Sequence, residues 1–354
     1  EAEASYYKYE EIFKKESRKL QISTKVNTEI GLKDYLLYWF EDVFSERVEN
    51  STRMICAYTL YDLILPNMQQ DIKLRFANVE YFDALLAVVA KSCESAGNKA
   101  REFLYMAMKE AVMDGYIKMN PIQGTKQYPR KKPTITILNK ANIKKLLSAA
   151  YDSGWYLEIL FALFSGLRKG EILGLKFSDY DEKENTIYIQ RQITSNPIIP
   201  KGSSKIEEYE VIEKEPKTDN SYRRLKVPEV IAEEIRKRKY QIEANKLKYG
   251  EQYYNHDYIA CQDNGLPRST SAMNGALTKL CSRNGLPHIT VHGLRHMYAT
   301  ILIEQGVSLI KISAYSFTNL ASRSASPVTN GTFISERSSG TTVPLNILLL
   351  SRKS

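Results

Sequence analysis

Apolar positions between residues 28 and 120 recur at helical spacing. In TEIGLKDYLLYWFEDVFS, Leu32, Leu36, Trp39, Phe40 and Phe44 share one face at i, i+4, i+7, i+8 and i+12. Similar stretches at 51–65, 78–93 and 97–114 complete a predicted four-helix unit, which is enough for a compact domain. The periodicity stops at MNPIQGTKQYPRKKPTI, where three prolines and a glycine interrupt it and Lys126, Arg130, Lys131 and Lys132 gather. This stretch reads as a linker, either a solvated connector or a strap lying along phosphates.

The pattern then changes. Helices are predicted over 139–152 and 155–165, with a short one opening after SGLRKGEILGL. NTIYIQRQI, EYEVIE and SYRRLKVP alternate apolar and polar residues, and the turn residues TDN separate the last two, so these segments predict a small antiparallel sheet with a hairpin at PKTDNSYRR. Pro228 begins a long charged helix that stops at Gly250. A short strand over 258–261, a DNG turn, a helix near 269–284 and a last helix from VHGLRH to Gly306 follow. The class is mainly α, with one small sheet in the second half.

Composition narrows the partners. The 50 Lys and Arg exceed the 41 Asp and Glu, for a net charge of +9, and the pI is about 9.1, which suits a polyanionic partner. Cys56, Cys93, Cys261 and Cys281 form no C-x-x-C pair or bridging framework, which places the chain in a reducing, cytoplasmic compartment. No run approaches the roughly 20 apolar residues of a membrane helix, and EAEASYYKYEEIFKK is too charged for a signal peptide. The sequence starts without Met, so a preceding segment, such as a further DNA-binding domain, is left open.

Three clusters could carry chemistry. His292 and Arg295 stand three apart near a helix start, where unpaired N–H groups favour an anion. A metal site there would use His292 and His296 at i, i+4, but the acid of a zinc protease motif is absent and Arg295 would repel a dication. The plain alternative is a core helix packed through Leu294, Tyr298, Ile301 and Leu302. Arg168 in SGLRKGE lies at a turn where the carboxylate of Glu171 could hold its guanidinium. Lys217 sits at the expected hairpin turn, within reach of a ligand.

In this order, SGLRKGE, PKTDNSYRRLKVP and HGLRH resemble the catalytic domain of the tyrosine recombinases, or phage-type integrases. The similarity is greatest to integrases of conjugative transposons and Gram-positive phages, and it covers about 28–315. It implies a lead segment over 1–27, a helical, SAM-like core-binding domain over 28–124, a basic linker over 125–133 and a mixed α/β catalytic domain over 134–315. It also implies that Arg168 and Arg295 bind the non-bridging oxygens of the scissile phosphate, that Lys217 protonates the leaving 5′ oxygen, and that His292 assists proton transfer. Glu171 and His296 would support them, and no cofactor or metal is required.

In that family the two domains close around duplex DNA as a C-shaped clamp. Arg130, Lys131 and Lys132 of the linker, with Lys99 and Arg101, are the matching candidates for DNA contact; a solvated helix face is the plain alternative for Lys99 and Arg101. The implied partners are double-stranded DNA, further copies of the chain assembling from dimer to tetramer, and an excisionase or host architectural protein.

The pattern breaks at Tyr315. The family continues with an LGH-type motif and a nucleophilic tyrosine, whereas 316–354 begins SFTNLA and contains no Tyr, His or Asp. Tyr298 falls in the core helix and Tyr315 matches the residue preceding LGH, so neither is a good nucleophile. The expectation is a change of reading frame near Ser316; a divergent tail, with a partner subunit supplying the nucleophile, is the alternative. Two other functional readings stay open: a catalytically silent DNA-binding protein that competes at recombination sites, and a type IB topoisomerase.

Overall fold

A computed structural model describes residues 27, 29–130, 136–216 and 221–304. They form two compact units. Of the described residues, the first takes those up to 130 together with Asn196–Glu210, and the second takes 136–195 with 211–216 and 221–304.

The first unit is helical, as its periodicity predicts. Helix α1 (Leu32–Tyr38) runs on into a π-helical stretch at Trp39–Phe44, and α2 (Asn50–Tyr58) into another at Thr59–Ile64. They are followed by α3 (Val79–Ser92), capped by the Asn78 side chain on the Tyr81 N–H, and α4 (Glu94–Met113). The face read from the sequence is buried: Leu32, Leu36, Trp39 and Phe40 pack with Leu60, Phe82, Leu86 and Phe103, while Phe44 is only partly covered.

The second unit is built around one apolar helix. Its helices are α5 (Lys140–Tyr151), α6 (Tyr156–Phe164), α7 (Lys169–Gly174), α8 (Glu229–Tyr249), α9 (Thr270–Arg283) and α10 (Val291–Glu304). Residues 157–164 of α6 are all buried, and a helix apolar on every side belongs at the centre of a fold. Accordingly α5, α7, α8 and α10 all pack on it. Removing one large ring there, as in Phe161→Ala, would cost about 3–5 kcal/mol.

The strands depart from the expected single sheet. NTIYIQRQI is two strands, β2 (Thr186–Ile189) and β3 (Gln192–Ile198), parted at Gln190 and Arg191. Both side chains at the break bind the buried Asp179 carboxylate, Gln190 at 2.6 Å and Arg191 through an ion pair. β1 (Tyr180–Asp181), β2 and β5 (Arg223–Lys226) make one antiparallel sheet, with Ile187 opposite Leu225 and Ile189 opposite Arg223. β4 (Glu208–Lys214) pairs instead with β3. The expected hairpin between EYEVIE and SYRRLKVP is therefore corrected: its two arms lie in different sheets, β4 beside β3 and β5 beside β2. The short strand expected at 258–261 is reduced to single bridges, Tyr258 with Lys176 and Cys261 with Pro267.

Two glycines bring α7 against β3. A Cβ on Gly170 would lie 2.7 Å from the Ile193 carbonyl oxygen, and one on Gly174 would lie 3.0 Å from the Gln192 Cα. The helix and strand backbones thus meet with no side chain between them.

Candidate functional site

The site forms just past the end of α6. Ser165 closes the helix, and Gly166 then turns the chain with φ +59, a conformation that favours glycine. Space imposes the same choice, because a Cβ there would fall 2.3 Å from the Tyr298 ring. The turn presents the Gly166 carbonyl to Arg295 Nη1 from α10 and places Arg168 at the head of α7.

Glu171 gathers the cations. One carboxylate oxygen accepts from the Arg168 backbone N–H at 2.8 Å, tying the first turn of α7 as an N3 carboxylate does, and the other accepts from Arg168 Nη1 at 2.8 Å. Arg223 grips both oxygens, at 2.8 and 3.1 Å, in the bidentate arrangement that fixes a guanidinium and a carboxylate in plane. Arg295 Nη1 stands 3.9 Å away. Burial pushes the Glu171 carboxyl up, but the hydrogen bond and charge of Arg223 and the contacts to Arg168 outweigh it and hold it below the ordinary range.

Arg295 is 1% exposed, and its Nη2 is buried with no hydrogen-bond partner among the described residues. Burial, and the Arg168 charge beside it, push it down to about 10, which leaves it protonated at neutral pH. A buried donor without an acceptor costs about 1–3 kcal/mol or more when charged, so the fold sustains a real penalty at this atom.

Arg168, His292 and Arg295 line one cavity of about 600 Å³, whose remaining wall comes from α7, β3, the start of α9 and the residues before α10. The Arg168 side chain is 38% exposed and partly reachable. His292 sits at the exposed start of α10, its ring edge-on to His296 with centroids 4.4 Å apart. Partial burial, His296, Arg295 and Arg168 all hold His292 below the usual imidazole value, so the ring is neutral and able to accept a proton at physiological pH. Among the described residues, no Asp or Glu lines the cavity. Among the described residues, no three His, Cys, Asp or Glu side chains lie together as a metal ion would need.

Lys217, Lys131 and Lys132, like Tyr315 and the tail, are outside the described residues. In the first unit Lys99 is exposed on α4, and Arg130 pairs with Glu102 at 2.6 Å on the surface. Arg101 is more committed: its Nε donates to Thr125 Oγ1 at 2.9 Å and its Nη2 to the Ile122 carbonyl at 3.0 Å. Arg223 was missed in the sequence, yet a signal was present. It shares the inward face of β5 with buried Leu225, and an arginine on that face requires a carboxylate.

Comparison with known proteins follows the same outline. The profile of the phage integrase family matches residues 136–316, just over half of the chain. Over 221 residues the chain is 34% identical to a XerC-like tyrosine recombinase of Caldanaerobacter subterraneus subsp. tengcongensis, covering 60% of this chain and 56% of that protein. It is 24% identical over 206 residues to the ICEBs1 integrase of Bacillus subtilis, covering 57% and 52%. The chain thus spans just over half the length of these curated relatives. Among solved structures, the Tn1549 transposon integrase in complex with transposon right-end DNA superposes with a TM-score of 0.66 at 16% identity, over 80% of this chain and 91% of that one. A lambda integrase dimer bound to a core site gives 0.58 at 16% identity, over 85% and 99%. At such identities the likeness is one of fold.

Proposed function

Because the chain belongs to the phage integrase family, we propose that the Glu171-centred cavity grips the scissile phosphate of duplex DNA and that the protein is a site-specific recombinase of a mobile element. The observation that carries this reading is the buried Nη2 of Arg295, without a hydrogen-bond partner among the described residues, in a cavity shared with Arg168. Two guanidiniums are the donors that suit the non-bridging oxygens of a phosphodiester, and their attraction grows as charge develops on phosphorus.

The chemistry assigned to the site is attack by a tyrosine oxygen on phosphorus. It forms a 3′-phosphotyrosine bond and breaks the bond to the 5′ oxygen, which leaves as a hydroxyl after taking a proton. His292, neutral and beside the arginines, moves protons and positions the phosphate; Lys217 delivers the proton to the leaving oxygen. Lys99, Arg130, Lys131, Lys132 and the remaining Nη1 of Arg101 would hold the DNA backbone away from the reacting centre. Self-association on DNA, to a dimer and then a tetramer, belongs to the same proposal, as does cooperation with an excisionase or architectural protein.

One feature favours a second reading, a silent binder that occupies recombination sites. Residues 316–354 contain no tyrosine, and the family match ends at residue 316. A duplex enriched from random sequence by the chain, then nicked to trap the intermediate, separates the two. A covalent protein–DNA adduct at a mapped tyrosine supports the recombinase, and tight binding without adduct supports the silent binder. Translating the gene past codon 315 in its other frames completes the test: an LGH motif followed by tyrosine marks a frame change, and its absence in both frames removes that explanation.

A further inference from the structure

The cavity holds a third cation that the family chemistry does not use. Lys169, the first residue of α7, lines it next to Arg168. The side chain is half-buried, and burial holds its ammonium below the ordinary lysine value. Among the described residues it has no hydrogen-bond or ion-pair partner.

Two features of the position disfavour a cation. It is next to one arginine in sequence and shares a wall with another, and the first turn of a helix favours negative charge. A half-buried ammonium on a flexible stem has lost part of its hydration, and an anion brought into the cavity would offset that loss. The charge count agrees. Glu171 offsets one of the four cations gathered here, so Arg168, Lys169, Arg223 and Arg295 leave a net three positive charges beside a cavity that no Asp or Glu among the described residues lines. One phosphodiester brings a single negative charge. The volume of about 600 Å³ falls in the range of about 300–1,000 Å³ that encloses a drug-sized molecule, which is more than one phosphate group fills.

We propose that Lys169 binds the backbone phosphate adjacent to the one held by Arg168 and Arg295, so that the cavity takes two consecutive phosphates of one strand. This goes beyond, and rests on, the reading of the cavity as the scissile-phosphate site. Lys169 then sets the register of the strand, and its neighbour phosphate fixes which bond lies between the arginines.

The test uses the full chain and a duplex that it enriches from random sequence. Log affinity is measured against log salt concentration for wild type, Lys169→Gln, Lys169→Arg and Arg168→Ala. Each lost phosphate contact reduces the slope by about 0.9. Lys169→Gln should lose about that much and Lys169→Arg should keep the wild-type slope. A Lys169→Gln slope equal to wild type overturns the proposal. A neutral methylphosphonate, placed in turn at each central position of the duplex, repeats the question with the wild-type chain alone. Affinity should fall at two neighbouring phosphates of one strand, and a drop at only one overturns the proposal. Failure of the parent reading looks different, since the chain would then enrich no duplex, or Arg168→Ala would leave the slope unchanged.

Discussion

Helix α6 has a buried carboxylate near each end, and the two are opposites in use. Glu158, in its first turn, is 1% exposed; Glu171, just beyond its last, is 4% exposed; each draws in arginines from distant parts of the chain. Around Glu158 the donors are spent. Arg238 reaches the carboxylate at 3.1 Å and the Ile259 carbonyl at 3.0 Å, while Arg268 reaches the carbonyls of Cys261 and Gly154 at 2.8 and 2.7 Å and lies 4.2 Å over the Trp155 ring. Around Glu171 three guanidiniums meet one carboxylate, Arg295 Nη2 has no partner among the described residues, and a cavity opens beside them. Burying an arginine against an acid is a structural device in the first case. Leaving one such group incomplete is what makes the second the candidate binding site.

The largest expected effect comes from breaking the closed cluster. Glu158→Ala strands two buried arginines and should lower unfolding free energy by about 3–5 kcal/mol in urea titration. Next comes a matched pair. Arg238→Met should cost about 2–4 kcal/mol, whereas Arg295→Met, which removes the unpaired donor and leaves Glu171 with Arg223 and Arg168, should change stability by less than about 1 kcal/mol while sharply weakening DNA binding. Equal losses in the two would put both clusters in one structural class. Gly166→Ala should cost about 1–3 kcal/mol through its positive φ, and more if Tyr298 does not yield; it should also weaken DNA binding by shifting the Arg295 anchor.

The smallest effect is on pH. His292 is depressed in the free chain, and a phosphate favours its protonated form, so binding takes up a proton. DNA affinity should therefore rise as pH falls from 8 toward the depressed value, by at most about tenfold per unit, and His292→Gln should flatten the profile. The same shift acts on folding with the opposite trend. The unfolded chain binds the proton more readily, so His292 contributes stability above about pH 6.5 that is lost as pH falls below it.

Much of the fold was legible because helices announce themselves over long windows. Leu32, Leu36, Trp39 and Phe40, and the apolar run of α6, are buried where periodicity puts them. Strand pairing was less legible, since alternation gives the inward face of a strand but not its neighbour. TDN was a good turn signal between two segments that do not pair. At the site, Arg168, His292 and Arg295 were visible as motifs. The link from Arg223 to Glu171 spans 52 positions, and only the pairing of β2 with β5 brings it about. Lys169 stood in plain view beside Arg168, but its significance depends on the cavity and on the absence of an acid among the described residues that line it.

The direct contact of α7 with β3 makes Arg168 a mechanical follower of a strand. Side-chain layers between elements act as cushions, because rotamers can absorb a fraction of an ångström before a backbone must move. At Gly170 and Gly174 that cushion is missing. A push or twist on β3 is passed undamped to the helix that carries Arg168 at its head, so whatever grips the strand also sets the aim of the guanidinium.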